Sequence, residues 1–527
     1  MLLKLPSGLR RTGIVAATLA AALIVSGCVG EATPTDSGGT AGEPLAGGDL
    51  NVALQVGPAS LDPAFGNAPD LDRNTFNLFY EGLIRLRAGG EVEPVLAESF
   101  ETSEDGQTLT FTLREGVTFS DGAPFNADAV VANLSRIIDP EVASPRANDL
   151  AAVNEVVALD DSTVEVRLST PSPLTLAGLA SEAGMMVSPL ALEDPETLKT
   201  TPVGTGPFIF AGLINSQDIS ATRNPDYWGT DSQGNQLPYL DSVTMNIVPD
   251  INIKLTGLRT GQFQLIDSIP VRQVETVAAD SEIEILEGRG VQKWMAFNTS
   301  RAPFDDLRVR QAVAAAIDRN AIGQTIAGDL AVVNATLCTP TQVCFDESLE
   351  PTSTNVEEAR ALLAEAGVED LSLTLKVINR EPDTTIAQLV QAQLLEAGIT
   401  LEIQVLERES WIEQILEGDF DIATLQIGVP RLDPSLAFNG SFSENAPQNW
   451  SRVSNGDLAD ATARAASTYE ESERRAAFSE AQQILLDNAY YVFFYWNADP
   501  AGIATSVQDI GADQAGGWIL TETWLSQ

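Results

Sequence analysis

Residues 355–427 alternate helix and strand patterns, and this alternation restricts the fold more than any other stretch of the chain. Asn355 and Glu358 have the spacing of a capping box, which predicts a helix that begins there and ends at Gly367. The further predicted segments are a strand over 371–377, a helix over 384–397, a strand over 399–405, a helix over 410–417 and a strand over 420–427. This βαβαβ order predicts an α/β fold with a mainly parallel sheet and right-handed crossovers.

The loop after the last of these strands is the site that the pattern alone indicates. In parallel sheets, ligands gather beyond the carboxyl ends of the strands. In this chain the loop runs from Gly428 to Pro434 and contains Pro430, Arg431 and Asp433. We therefore expect ligand contacts in this loop, although Asp433-Pro434 is also a turn-forming dipeptide.

The first 28 residues have the layout of an export signal. Three basic residues among the first eleven precede an apolar run from Ile14 to Val25, which is too short to span a bilayer. The run ends in Val-Ser-Gly-Cys at Cys28, which resembles the lipobox of bacterial lipoproteins, where the cysteine is lipidated. We predict a signal peptide over 1–27 and a lipid anchor on Cys28. The alternative is an ordinary signal peptide in which this cysteine has no role.

Residues 29–48 hold Gly, Pro, Thr, Ser and Ala with almost no large apolar side chain, which is typical of a flexible linker. No later segment approaches 18 uncharged apolar residues. We therefore expect the mature protein to be tethered to the membrane by lipid and not embedded in it. A lipid anchor followed by a linker and a large folded region predicts a protein outside the cytoplasm, at the cell surface or in the periplasm.

The charge and the missing histidine exclude several function classes. The chain has 30 Lys and Arg, 74 Asp and Glu, no His and a net charge of −44. Without imidazole there is no Ser-His-Asp triad, no HExxH zinc site and no nickel held through histidine. The negative charge repels nucleic acid and anionic lipid. No Walker A, GxSxG or SxxK motif occurs. We expect no enzyme activity, no metal, no cofactor and no nucleic-acid partner.

Cys338 and Cys344 remain once Cys28 is assigned to the anchor. In an exported protein an even remainder suggests a disulfide, which in this case would close a seven-residue loop. Closing so short a loop removes little entropy from the unfolded chain. The main effect of the bond would therefore be to hold a local loop in place. Two separate reduced thiols are the alternative.

Several blocks of sequence together resemble a known family. They are FYEGLIRL (79–86), PVLAESFETSEDGQTLTFTLREGVTFSDGAPFNADAVVANLSRIID (94–139), VGTGPFIF (203–210), RNPDYWG (223–229), FNTSRAPFDDLRVRQAVAAAIDRNAI (297–322) and ARALLAEAG (359–367). Each block is weak alone, but the ordered set resembles the bacterial extracellular solute-binding proteins of family 5. These are the dipeptide, oligopeptide and nickel receptors of ABC importers.

The resemblance implies a type II periplasmic-binding-protein clamshell of two lobes and three domains, with mixed β-sheets and a two-strand hinge. We expect the hinge crossings near Val291–Phe297 and Tyr490–Trp496. The expected boundaries are 49–90, 199–290 and 491–527 for lobe 1 (domain I), 91–198 for an inserted domain II, and 291–490 for lobe 2 (domain III).

The resemblance also implies an extracytoplasmic receptor that captures a peptide or peptide-sized solute between its lobes and delivers it to a membrane permease. We expect a monomer whose other partners are the permease and ATPase subunits of an ABC importer. An exported hydrolase that acts through carboxylates is the less favoured alternative.

We select candidate ligand-binding residues by their expected position in this fold more than by residue type. Aromatic side chains in a cleft offer large rigid contact faces, although ordinary core packing is the alternative for each Trp. The candidates are Trp294, Asn298, Trp411, Arg431, Asp433, Asn449 and Trp450.

The ligand class is where this chain departs from its peptide-binding relatives. In those, an aspartate three residues before the acidic-Pro pair commonly holds the α-ammonium of the peptide. Aligned on Asp433, that position is Pro430, and the aromatic that commonly lies three residues further back is Ile427. Arg431 instead brings a cation to the loop. We keep a peptide as the first expectation, bound without the usual amine clamp, with an oligosaccharide or anionic solute as the alternative.

Overall fold

The computed structural model describes residues 43–526 except 67–68, 88–89, 216, 287–289, 341, 429–432, 445 and 447. The predicted signal peptide, Cys28, most of the linker, Pro430 and Arg431 lie outside the described residues. Within the described ranges no helix is long and apolar enough to cross a membrane. In the same ranges no group of three or more Cys, Asp or Glu could hold a metal ion.

The helices and strands follow one another along the chain in a mixed α/β order. The first are β1 (Asp49–Leu54), α1 (Pro69–Phe79), β2 (Ile84–Leu86), β3 (Val92–Pro94), β4 (Ala97–Thr102), β5 (Thr108–Leu113), α2 (Ala127–Ile138), β6 (Val153–Asp160), β7 (Thr163–Leu168), α3 (Pro173–Leu179) and α4 (Pro195–Leu198). Next come β8 (Phe208–Ile214), β9 (Asp218–Arg223), β10 (Ser242–Ile247), α5 (Ile251–Arg259), β11 (Leu265–Ile266), α6 (Val271–Ala278), β12 (Ile283–Leu286), β13 (Gly290–Phe297), α7 (Leu307–Ala315), α8 (Arg319–Ala327) and β14 (Ala331–Val332). The last are α9 (Val356–Glu365), β15 (Ser372–Ile378), α10 (Asp383–Glu396), β16 (Thr400–Leu406), α11 (Arg408–Glu417), β17 (Ile422–Gly428), α12 (Pro434–Phe442), α13 (Gly456–Ser467), α14 (Glu471–Asp487), β18 (Tyr491–Ala498), β19 (Ala501–Ala504), β20 (Val507–Gln508), β21 (Gly511–Ala512), β22 (Trp518–Ile519) and β23 (Trp524–Leu525).

Three large sheets divide the described chain. A seven-stranded sheet has the order β12-β19-β11-β1-β10-β9-β8, a four-stranded antiparallel sheet the order β4-β5-β7-β6, and a six-stranded sheet the order β14-β18-β13-β17-β15-β16. Lobe 1 denotes residues 43–90, 199–286 and 501–526, the inserted domain denotes 91–198, and lobe 2 denotes 290–498. The domain boundaries themselves stay a prediction; β18, which they assign to lobe 1, pairs within the sheet of lobe 2.

The chain crosses between lobe 1 and lobe 2 twice, from β12 to β13 and from β18 to β19. β12 pairs with β19 in the seven-stranded sheet, and β13 pairs with β18 in the six-stranded sheet. The chain therefore passes between the sheets just before Gly290 and just after Ala498, at the ends of the two predicted hinge segments. At this junction the indole of Trp496 covers Gly290 so closely that a Cβ there would lie 1.8 Å from Nε1. Any larger residue at position 290 would force the ring to move.

The predicted βαβαβ unit is present as α9, β15, α10, β16, α11 and β17, each within about two residues of its expected start. Asn355 caps α9 by accepting the Glu358 N–H, but its own N–H donates to the Ala315 carbonyl, so the capping box is only half formed. The expectation of a mainly parallel sheet is wrong. β15 pairs in parallel with β16 and β17, whereas β13, β14 and β18 add three antiparallel pairings.

Each sheet carries apolar side chains into its own core. In lobe 2, β13 divides two cores, because Met295 and Phe297 face one side and Trp294 and Ala296 face the other. In the inserted domain, alternate residues of β5 such as Phe111 point into the core beneath α2. Separate cores allow each lobe to keep its shape when it moves relative to the other.

Candidate ligand-binding site

A cavity of about 200 Å³ lies where lobe 1, the inserted domain and lobe 2 meet. It is smaller than the roughly 300–1,000 Å³ typical of sites for drug-sized ligands. Its principal side chains are, from lobe 1, Leu86 and Gln514; from the inserted domain, Leu176; and from lobe 2, Asp433, Tyr469 and Arg474. All three parts of the molecule thus contribute to one partly open cavity.

Asp433 presents a carboxylate at the cavity that is already occupied by partners within lobe 2. It caps α12, because its Oδ1 accepts the Ser435 N–H at 2.9 Å. Its Oδ2 accepts a hydrogen bond from Nη2 of Arg474 at 2.5 Å, and the Nε of Arg474 donates to the Ala465 carbonyl. Asp433 is only 4% exposed. A buried ion pair of this kind holds both charges in place and leaves no free carboxylate for a cationic ligand group.

Tyr469 connects lobe 2 to the inserted domain across the cavity. Its hydroxyl oxygen accepts the N–H of Ser172 at 3.3 Å, just before α3 begins. Its ring lies against Gly106, which has a φ of +69°, and a Cβ there would lie 3.2 Å from the tyrosine Cε2. Burial raises the pKa of Tyr469, with the Ser172 N–H and Arg474 opposing it. Tyr469 is therefore both a wall of the cavity and a contact between the lobes.

Asp149 lies beneath the helix that forms the inserted-domain wall. α3 rests on its backbone so closely that a Cβ on Gly178 would lie 2.4 Å from the Asp149 carbonyl oxygen. Its Oδ2 has no hydrogen-bond partner in the protein, and Nη1 of Arg146 is 3.9 Å away. Burial raises the pKa of Asp149 from 3.8 to about 6, with Arg146 opposing and Glu182 adding to the shift.

Cys338 and Cys344 form a disulfide, with Cα atoms 5.8 Å apart and both residues buried. The Nε2 of Gln482 on α14 donates to the Cys344 carbonyl, which fixes the closed loop to lobe 2. Val343 within this loop lines the cavity. The disulfide therefore lies directly behind one part of the cavity wall.

Two of the residues predicted to bind ligand pack inside lobe 2. Trp294 is 2% exposed and stacks against both Tyr491 and Phe493, at centroid distances of 5.0 and 5.1 Å. Its Nε1 has no hydrogen-bond partner in the protein. Asn298 donates from Nδ2 to the carbonyls of Gly418 and Phe420 and so closes a turn before β17.

Three further predicted residues have local partners. Trp411 donates from Nε1 to the Lys376 carbonyl at 3.3 Å and meets Trp450 edge to face at 6.0 Å. Asn449 exchanges hydrogen bonds with the backbone of Val453 and so shapes its own loop. Asp433 is the predicted residue that lines the cavity, and Arg431 lies outside the described residues. A ligand role for each of the seven stays a prediction.

Sequence reasoning missed the other cavity residues. Gln514, Tyr469, Arg474 and Leu176 belong to segments without a motif, and only the folded chain brings them together. No pattern around them distinguishes them from ordinary surface or helix positions.

Comparison with known proteins gives the family. The family model described as "Bacterial extracellular solute-binding proteins, family 5 Middle" matches residues 91–449. The chain belongs to this family. The match covers the inserted domain, much of lobe 1 and most of lobe 2, including the segments that contribute Leu176 and Asp433 to the cavity.

Relatives in family 5 extend the similarity over nearly the whole chain. Glutathione-binding protein GsiB of Salmonella typhi is 30% identical over 505 residues, which cover 92% of this chain and 94% of the relative. The protein of the same name from Escherichia coli strain K12 is 29% identical over 539 residues, 98% of each chain.

Solved structures show the same fold. HbpA2 from Haemophilus parasuis has a TM-score of 0.81 and 26% identity, over 91% of this chain and 100% of its own. AgaA in complex with agropinic acid, from A.tumefacien R10, has a TM-score of 0.73 and 25% identity, over 91% of this chain and 99% of its own. The fold is thus the type II periplasmic-binding-protein fold, and the chain is a solute-binding protein of an ABC importer, a class outside the cytoplasm.

Proposed function

We propose that this protein captures a peptide-sized solute between its lobes, which open beyond the present cavity of about 200 Å³ to admit it, and releases it, chemically unchanged, to a membrane permease. The observation that carries the proposal is that lobe 1, the inserted domain and lobe 2 all line one cavity, while the chain crosses between the lobes twice, from β12 to β13 and from β18 to β19. Two chain crossings of this kind can act as a hinge, about which the lobes rotate as rigid bodies and close around a ligand.

The test is binding without turnover. The protein is mixed with reduced glutathione, di- to pentapeptides, maltotriose or agropinic acid, and its Tm is measured with and without each compound. A true ligand raises the Tm increasingly as its concentration exceeds Kd. Native mass spectrometry then identifies the bound compound, and chromatography shows whether it is intact. Conversion of the compound by the purified protein would contradict the proposal.

A cavity-filling variant makes the test specific. Leu176→Trp places a large ring in a cavity of about 200 Å³, so it should abolish the ligand-induced rise in Tm. The matched control is Leu159→Trp, at a position of the same inserted domain that is 51% exposed. Equal ligand stabilisation of both variants would place the binding site elsewhere.

Within this function we propose that a peptide is bound without a clamp on its α-ammonium. Pro430 has no side-chain charge, and Asp433, the acid nearest to it in sequence, is paired with Arg474 and Ser435. Calorimetry with free and N-acetylated peptides tests this, because acetylation removes the ammonium charge. Affinity that acetylation abolishes would reveal a clamp and refute the idea.

An anionic solute or an oligosaccharide is the second candidate. Arg431 supplies a cation in the loop after β17, and AgaA, at 25% identity, is described in complex with agropinic acid. Stabilisation by agropinic acid or maltotriose, but by no peptide, would favour this candidate.

We further propose that the protein is a monomer held at the outer face of the membrane by lipid on Cys28, after removal of residues 1–27. The basic start, the apolar run and the cysteine in residues 1–28 support this.

A further inference from the structure

A second cavity, of about 460 Å³, lies within lobe 2 and shares no lining residue with the cavity between the lobes. It is formed by the start of α8, by Val333 just after β14 and by the loop over 350–354. Its volume falls within the roughly 300–1,000 Å³ that is typical of small-molecule sites. The cavity is partly open, so a small solute can enter it.

The guanidinium of Arg319 lines this cavity from a buried position. Arg319 is 6% exposed, and its Nε donates to the Phe493 carbonyl at 3.0 Å while its Nη1 donates to the Thr352 carbonyl. Among the described residues Nη2 has no acceptor, and it is not closed off from solvent. Its N–H groups are therefore available to a molecule in the cavity.

Arg319 differs from the other buried cations of the described chain, because those have carboxylates near them. The others are Arg73, Lys254, Lys293, Arg310, Lys376 and Arg474. All but Arg310 form an ion pair, and Asp305 and Asp306 oppose the fall in the pKa of Arg310 that burial causes. Burial lowers the pKa of Arg319 from 12.5 to about 10, and no carboxylate of a described residue opposes this fall. A buried cation without a counter-ion is unfavourable.

Two acids line the cavity without serving as that counter-ion. The Oδ1 of Asp318 accepts the Ala321 N–H at 2.9 Å and so caps α8. Glu350 is exposed. Neither carboxylate affects the pKa of Arg319. The counter-ion that this guanidinium lacks must therefore come from outside the described residues.

Further polar side chains at the cavity can donate hydrogen bonds. Asn320 carries an amide, and Thr352 and Ser353 carry hydroxyls, all on exposed residues. The net charge of −44 repels anions at long range, but charges more than about 8 Å apart are largely screened at physiological ionic strength. The groups at the cavity therefore decide what binds there. The planar fork of a guanidinium matches the oxygens of a carboxylate or a phosphate.

We propose that the cavity beside Arg319 is a second binding site, which takes the carboxylate or phosphate group of a small anion. The oxygens of this group accept the N–H groups of the guanidinium and supply the missing counter-ion. The same guanidinium holds the Phe493 carbonyl of β18, the strand that leads into the second crossing between the lobes. A bound anion thus strengthens the contact of α8 with that strand. The site goes beyond the proposed function and does not rest on it.

The experiment measures Kd by calorimetry for sodium phosphate and for sodium acetate, in Tris-chloride buffer at constant ionic strength, with sodium chloride as the blank. Ser353→Asp places a carboxylate beside Thr352, whose carbonyl Arg319 contacts, so that it competes with the anion. The matched control, Ser372→Asp, adds the same charge at an exposed position of β15 that does not line the cavity. Leu176→Trp fills the cavity between the lobes and so separates the two sites.

Wild type should bind at least one of the two probes, and the probe that binds identifies the class of anion. Ser353→Asp should weaken that binding about tenfold, whereas Ser372→Asp and Leu176→Trp should leave it unchanged. Without any probe, the Tm of Ser353→Asp should equal or exceed that of Ser372→Asp, because the new carboxylate gives Arg319 a partner.

Three results would overturn the inference. The first is that wild type binds neither probe, or that Ser353→Asp and Ser372→Asp bind it with equal Kd values. The second is loss of probe binding in Leu176→Trp, which would place the anion between the lobes. The third is a lower Tm of Ser353→Asp than of Ser372→Asp without probe, which would show that Arg319 does not lack a counter-ion. The receptor function stands in each case, since it is tested by other compounds at the other cavity.

Discussion

Replacing Asp149 by asparagine should stabilise the protein at neutral pH. The Asp149 side chain is 11% exposed, its Oδ2 has no hydrogen-bond partner in the protein, and Arg146 is too far away, at 3.9 Å, to compensate fully. Burial raises its pKa from 3.8 to about 6, so the ionised form is less stable in the folded protein than in the unfolded chain. Asparagine has the same shape and no charge to bury.

The size of the effect follows from linkage. Each pKa unit corresponds to about 1.4 kcal/mol, so the rise from 3.8 to about 6 costs the folded state about 3 kcal/mol at pH 8. The cost is fully present above the folded pKa and disappears as the pH falls below the unfolded pKa. At pH 5 it should be about 1.5 kcal/mol. The gain in stability from Asp149→Asn should follow the same course.

The assay is urea unfolding of wild type and variant at pH 8 and pH 5, with calorimetric Tm values as a second measure because the chain has several cores. The matched control is Asp128→Asn, an exposed carboxylate in the first turn of α2 of the same domain. Loss of the Asp128 charge should lower the free energy of unfolding by less than about 1 kcal/mol. A variant Asp149→Asn that is less stable than wild type at pH 8, or whose advantage does not shrink at pH 5, would refute the reasoning.

Three further predictions concern the anchor, the disulfide and the contact between the lobes. Cys28→Ser should prevent lipidation, so the protein should leave the detergent phase in phase-partition assays. The double variant Cys338→Ser/Cys344→Ser should lower the free energy of unfolding by only about 2 kcal/mol, because the closed loop has seven residues; urea unfolding measures this. Tyr469→Phe should remove the acceptor for the Ser172 N–H and shift the balance of closed and open forms about two- to tenfold toward open. Small-angle scattering in the presence of a confirmed solute measures that shift.

Each of these has an outcome that counts against it. A Cys28→Ser protein that still partitions into detergent after signal removal speaks against a lipid anchor. If the free energy of unfolding of the double cysteine variant falls by far more than about 2 kcal/mol, the disulfide holds more than a local loop. For the tyrosine, the matched control is Tyr490→Phe, whose hydroxyl accepts a hydrogen bond of similar length, 3.4 Å, from Asn455 within lobe 2 and not across the lobes. Identical scattering for both tyrosine variants would show that the contact does not affect closure.

The parts of the fold that sequence predicts well are those encoded by nearby residues. The capping residue Asn355 and the apolar spacing after it place α9 correctly, and the alternation over 371–377 places β15. The antiparallel half of the same sheet escapes prediction, because long stretches of chain separate β13 from its partners β17 and β18. Strand periodicity says which residues are buried, but not which distant strand lies alongside.

The site is harder to predict for the same reason. A buried aromatic has the same sequence signal whether it packs in a core, as Trp294 does, or contacts a ligand. Asp433 can be identified because its loop follows a predicted parallel strand. Tyr469 and Gln514 cannot, because their role comes from which segments the folded chain places opposite them.

The indole that covers Gly290 gives this receptor a built-in optical reporter. Tryptophan emission depends on the polarity around the ring, and Trp496 lies at the point where the chain passes between the two large sheets. Rotation of the lobes about this crossing should change the contact between the ring and Gly290. A chain in which the other six tryptophans are replaced would thus signal capture of a solute in real time, without a dye, and would give the rate of closing as well as its extent.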